Sequence, residues 1–184
     1  GVYDGAGYHA KEKNNNKVLQ GRLTLRPLPD VLPGLQLSYF GMRGEGNKKA
    51  ANGDYPDYDV NLGMLSYEHP WGMFTAQYFQ TEGKAKGKWV DPAGDALETA
   101  GYSLFGNLRL PVLDRKLSLF ARYDYFDQDD DDVIADDTDY SMVIGGLAWD
   151  VYKHNLLMLV YETTDYGDNA GKKGSVPEVG NNLG

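Results

Sequence analysis

The chain has 184 residues, enough for one domain, and a formal net charge of −9. That acidic balance excludes a nucleic-acid binder, because phosphate contacts need clustered Lys and Arg. No run approaches the roughly 18–20 apolar residues of a membrane helix, and there is no Cys, which fits an architecture that needs no disulfides.

Fourteen Tyr and 23 Gly, with few Leu-rich runs, point to strands and tight turns rather than helices. In chain order, residues 1–16 read as a polar loop with no apolar signal region, so either a signal has been removed or the chain starts inside a longer protein. A strand is expected at 17–27, with Leu19, Gly21, Leu23 and Leu25 on one face and Gln20, Arg22, Thr24 and Arg26 on the other. At 34–44, Leu35, Leu37 and Tyr39 alternate with Gln36 and Ser38; at 57–68, Tyr58, Val60, Leu62 and Met64 alternate with Asp59, Asn61 and Gly63. A fourth strand is expected at 72–82. At 98–110, Tyr102, Leu104, Gly106, Leu108 and Leu110 oppose Ser103, Phe105, Asn107 and Arg109. At 116–127, Leu117, Leu119, Ala121, Tyr123 and Tyr125 oppose Ser118, Phe120, Arg122, Asp124 and Phe126. The last two segments, 139–151 and 155–165, are apolar on both faces; β-branched and aromatic neighbours favour strand over a short buried helix.

The links alternate in length. Those at 28–33, 69–71, 111–115 and 152–154 are short; those at 45–56, 83–97 and 128–138 are long and polar. Short turns at one end and long loops at the other are the layout of an up-and-down membrane barrel, whose strands need about 9–11 residues each. Aromatics mark both ends: Tyr67, Trp71, Trp149 and Tyr152 near short turns, and Tyr58, Tyr78, Tyr102, Tyr125, Tyr140 and Tyr161 near long loops. Two belts at the two headgroup levels would give this distribution. The expected fold is therefore all-β: an antiparallel up-and-down transmembrane β-barrel, with residues 1–184 forming a single barrel segment. Both ends of the chain fall on the long-loop side, whereas single-chain barrels start and finish at the short-turn side, so the segment is expected to be an internal part of a wider barrel.

Polar side chains cannot face hydrocarbon, so the polar face is expected to line a wet lumen. Gln20, Arg22, Thr24, Arg26, Asn107, Arg109, Arg122 and Asp124 are its candidate pore-lining residues, with Asp57 and Asp59 joining Asp124 as its acidic members. A second feature is the run 127–139, in which eight of thirteen residues are Asp. Carboxylates at this density suit Ca²⁺, which takes about six to eight oxygens, and Asp129, Asp131 and Asp136 are the candidate ligands. The sharp-turn Gly and distal Glu of a Ca²⁺ loop are missing, and a solvated, self-repelling loop is the plainer expectation. His9, His69 and His154 have no metal-ligand spacing and read as exposed turn residues. No phosphate loop, nucleophile elbow or zinc motif is present, so no catalytic residues and no cofactor are expected.

The segments 19–27 (LQGRLTLRP), 101–111 (GYSLFGNLRLP) and 117–127 (LSLFARYDYFD), and 145–149 (GGLAW) followed by 153–155 (KHN), resemble the late strands of the phosphate-selective porin family. The resemblance spans roughly 15–165. It implies a sixteen-stranded trimeric channel in the outer membrane of a Gram-negative bacterium, of which this chain would be about the C-terminal half less the last strand. No phosphate site is carried over, because an anion filter needs a ladder of Arg and Lys and this face mixes Arg with Asp. The expected function is passive diffusion of small hydrophilic solutes or ions, with outer-membrane lipid and lipopolysaccharide as surroundings and a homotrimer as assembly. The alternatives are a small membrane-anchored barrel or adhesin with binding loops, and a soluble carbohydrate-binding β-sandwich using Tyr and Trp.

Overall fold

Segments with two unlike faces are stable only where a sheet keeps those faces apart. The computed structural model describes residues 1–3, 11, 13, 15–84, 89–153, 155–171 and 176–177. Its strands are β1 (Val2–Tyr3), β2 (Val18–Leu25), β3 (Leu35–Arg43), β4 (Asp59–His69), β5 (Gly72–Glu82), β6 (Glu98–Arg109), β7 (Leu117–Asp127), β8 (Asp139–Tyr152) and β9 (Asn155–Tyr166). They form one antiparallel up-and-down sheet, each strand paired with its neighbours in sequence, and the sheet is not closed. A single 3-10 turn at Leu113–Arg115 is the only helical element among the described residues.

The eight long strands lie on the eight segments expected from alternation. Strand β1 departs from expectation: it lies inside the expected N-terminal loop and pairs Val2 with Leu19 and Tyr3 with Val18. Strand β2 ends at Leu25, two residues before Pro27, which has no N–H to give to a ladder and restricts the residue before it. The turn between β4 and β5 is Pro70 and Trp71 alone, and Arg115 stacks its guanidinium on the Trp71 ring at 4.2 Å, tying two neighbouring turns together.

Cross-strand partners share a face, so the register sorts every strand residue. One face carries Leu19, Leu23, Leu37, Tyr39, Leu65, Tyr67, Phe74, Tyr78, Tyr102, Leu104, Leu119, Tyr123, Tyr125, Leu147, Trp149, Leu159 and Tyr161. The other carries Arg22, Ser38, Gln77, Ser103, Arg122 and Asp124 among others. The apolar face is the exposed one, with Leu19 at 61%, Tyr161 at 68% and Leu159 at 74%, while Ser38, Ser66, Ser103 and Phe120 on the opposite face are each 8% exposed. One sheet with no second layer can shield only the face it curls around, so the mixed polar face is concave and the Leu/Tyr face convex.

Strand β4 corrects the expected assignment of faces. Val60, Leu62 and Met64 pair with Met42, Phe40 and Ser38 on the concave face, which puts Asp59 and Asn61 on the convex one. Asp59 pairs with Glu82, not with the Arg22 side, and reaches Arg43 at 3.7 Å; Asp57 lies outside the strand, bridged to Glu45. The apolar positions of β4 switch face between Met64 and Leu65, so period alone misassigns its loop-side half. Tyr140 also leaves the expected belt, since it pairs with Phe126 and Tyr166 on the concave face, and Tyr58 precedes β4.

Candidate pore face and loop-side cap

On the convex face the aromatics form two rows. Register places Tyr39, Tyr78, Tyr102 and Tyr125 in line across the sheet, a line that meets β9 at Asp165; the β9 tyrosine, Tyr161, sits four residues nearer the turn. Nearer the turns, Tyr67 pairs with Phe74, a line that meets β8 at Gly145; the β8 tryptophan, Trp149, again sits four residues nearer the turn. Both rows thus drop by the same four residues, about 13 Å along a strand. The strip between them keeps its width of four residues and crosses the strands obliquely. Above the upper row the same face turns charged, with Arg43, Asp59, Glu82 and Glu98.

The concave face gathers seven of the eight expected pore-lining residues. Pairings run from Thr24 through Ser38, Met64, Gln77 and Ser103 to Asp124. Gln20 and Arg22 occupy the same face of β2, Asn107 and Arg109 that of β6, and Arg122 that of β7. Arg26 lies one residue beyond β2, exposed at the turn-side rim. Arg22 donates to Ser38 Oγ at 3.4 Å, and Thr24 and Ser38 share a hydroxyl bond of 2.9 Å. Arg122 Nε meets Asp124 Oδ1 at 2.9 Å and Oδ2 at 2.8 Å, a pair two residues apart on one strand that neutralises itself. Two hollows open along this wall. One of about 250 Å³ is lined by Arg22, Ser38, Phe40, Leu62, Met64 and Gln77; a larger one of about 1100 Å³ at the turn side includes Asn107, Arg109, Ser118, Phe120 and Asp150.

Alternation does not single out the apolar half of this wall. Five of the six Phe (Phe40, Phe79, Phe105, Phe120, Phe126) and all five Met (Met42, Met64, Met73, Met142, Met158) lie on the concave face. The convex face is instead built of Leu, Val, Tyr and Trp.

The long loops pack into a cap. Trp89, Leu97, Asn47, Gln128, Asp129 and Thr138 are buried there, and the Asn52 amide reaches Asp95 at 3.5 Å between two loops. The acidic loop is held by its own side chains. Asp129, fully buried, accepts the Ile134 and Ala135 N–H groups on Oδ2; Asp127 accepts the Thr138 hydroxyl at 2.9 Å. Gln128 clasps Gly171 twice, donating to its carbonyl at 2.9 Å and accepting its N–H at 2.5 Å. Burial, then the charges of Asp127, Asp131 and Asp132, push the Asp130 carboxyl above the usual carboxylate range. A carboxyl raised in this way stabilises the fold fully only below the ordinary Asp pKa and loses that contribution as pH rises through its folded value.

That organisation does not bring the expected Ca²⁺ ligands together. Asp129 uses its carboxylate as a brace for loop backbone, Asp131 and Asp136 are exposed, and among the described residues no three His, Asp or Glu side chains come together to hold a metal ion. His69 is exposed at the end of β4 and accepts the Trp71 N–H; His9 and His154 lie outside the described residues.

No family model, curated protein or solved structure matches this chain.

Proposed function

We propose that these strands are part of the wall of an outer-membrane β-barrel that lets small hydrophilic solutes or ions diffuse passively, a porin of the kind the sequence resembles. The observation that carries this reading is the sorting of the two faces. A convex surface of exposed Leu, Tyr and Trp is costly in water and matched to lipid. A concave surface bearing Arg22, Arg109, Arg122 and Asp124 is costly in lipid and matched to a water-filled lumen. A soluble sandwich would need a second sheet over the Leu/Tyr face, and none covers it among the described residues.

An open sheet edge cannot be left unpaired in hydrocarbon, so the free edge of β9 would join further strands, from this chain or another, to close the barrel. Selection in such a pore comes from its width and from the charges on its wall. The charged fringe at Arg43, Asp59, Glu82 and Glu98 would then lie level with lipid headgroups and lipopolysaccharide. The reading is tested in planar bilayers with detergent-purified full-length protein. Stepwise, ohmic conductance increments are expected; protein that stays in solution without detergent and never conducts would refute it.

A further inference from the structure

The concave wall carries a continuous line of rings. Phe79 on β5, Phe126 on β7, Tyr140 on β8 and Tyr166 on β9 occupy one register row. Their centroids follow one another at 5.8, 5.5 and 5.4 Å. Strand β6 would interrupt the line, but it contributes Gly101, where a Cβ would sit 2.7 Å from the Phe79 ring. The missing side chain lets the β5 and β7 rings meet across it. None of these rings is buried, and Tyr166 is 38% exposed.

The outer belt measures where this line runs. Phe79 lies one residue beyond the belt position Tyr78, and Phe126 one beyond Tyr125, whereas Tyr166 lies five beyond Tyr161. The line therefore climbs by four residues, about 13 Å along a strand, from the membrane interface toward the loop-side mouth. It is one ring wide. On its turn side runs a row containing Gln77, Ser103, Asp124 and Thr164, and Tyr140 and Tyr166 add hydroxyls of their own.

We propose that this line is a guide for linear sugar chains entering the pore from the loop side. The inference rests on the pore reading and names its solute class. A pyranose ring presents apolar C–H faces and a rim of hydroxyls, and an apolar aromatic strip beside a row of hydroxyl, amide and carboxylate groups complements both. The spacing of the rings is close to the length of one sugar unit, so successive units can pass from ring to ring. A bare anion gains nothing from Phe rings, and Arg122 on the same wall is already neutralised by Asp124. A wholly apolar solute would leave the polar row desolvated and unpaired.

The test is current block by maltohexaose, added on the loop side of full-length channels in planar bilayers, with mannitol as a polyol that has no pyranose ring. Wild-type channels are expected to show brief closures with maltohexaose and none with mannitol. Phe126→Ala with Tyr140→Ala should weaken the block about tenfold, and conductance in the same record reports whether the variant channel has formed. Tyr166→Ala, at the loop-side end of β9, gives a second weakening with little risk to folding, and Tyr140→Phe should retain most of the block. Conducting wild-type channels that maltohexaose leaves unblocked, or variants blocked as strongly as wild type, would overturn the sugar guide while leaving the pore. Wild-type protein that never conducts would overturn the pore reading, and the guide with it.

Discussion

Leu104→Arg should prevent stable insertion into lipid bilayers, whereas Asn107→Arg, three residues along the same strand, should be tolerated. Leu104 is a convex position between the two aromatic rows, flanked in register by Ala76 and Tyr123. An arginine in the middle of a lipid-facing band costs about 2–4 kcal/mol in a membrane barrel. Asn107 faces the concave hollow beside Arg109 and Ser118, where a guanidinium stays hydrated. Folding yield into liposomes, read as protease protection or as heat-modifiable migration, separates the two. Equal loss in both variants would mean that the faces do not divide lipid from water.

Gln128→Ala should release the acidic loop. Gln128 is 1% exposed and satisfies both the N–H and the carbonyl of Gly171, so its removal strands two buried backbone groups, each worth about 1–3 kcal/mol when unpaired. Its loss leaves the self-repulsion of eight Asp in thirteen residues less opposed. Asp129 would still hold Ile134 and Ala135, but the return segment that carries Asp168 and Asn169 against Asp137 and Asp136 would lose its anchor. Hydrogen exchange should show lost protection across 128–138 and 167–171, with the amides of β6 and β7 unchanged. Protection that is unaltered in those two segments would contradict this account of the cap.

The strands are legible because the earlier segments alternate and the last two are rich in β-branched and aromatic residues, and links of alternating length set which end is which. The pairing of strands with their sequence neighbours follows from the short turns. Strand β4 misleads because its apolar positions move from 60, 62 and 64 on one face to 65 and 67 on the other; only cross-strand partners reveal the switch. The two residues of β1 carry no period to detect.

The concave wall is half legible. Its charged and amide members stand out against outward Leu, but its Phe residues look like ordinary strand members. A signal is nevertheless present. The dipeptides Tyr39-Phe40, Tyr78-Phe79 and Tyr125-Phe126 each put Tyr on the convex face and Phe on the concave one, and adjacent aromatics on a strand must point to opposite sides. The placement of the Ca²⁺ candidates is not legible for another reason: composition records how many carboxylates are near one another in sequence, not whether backbone N–H groups have already claimed them.

The division of the two faces is tested most directly by scanning Cys along β6. The chain has no native Cys, so each substitution introduces a single thiol. In protein reconstituted into liposomes, positions 103, 105, 107 and 109 should react with a water-soluble, membrane-impermeant maleimide. Positions 102, 104, 106 and 108 should resist it and react with a lipid-soluble one. An unbroken two-residue alternation across the strand is the result expected of a barrel wall with lipid on one side and water on the other. Uniform labelling of both sets by the water-soluble reagent would contradict it.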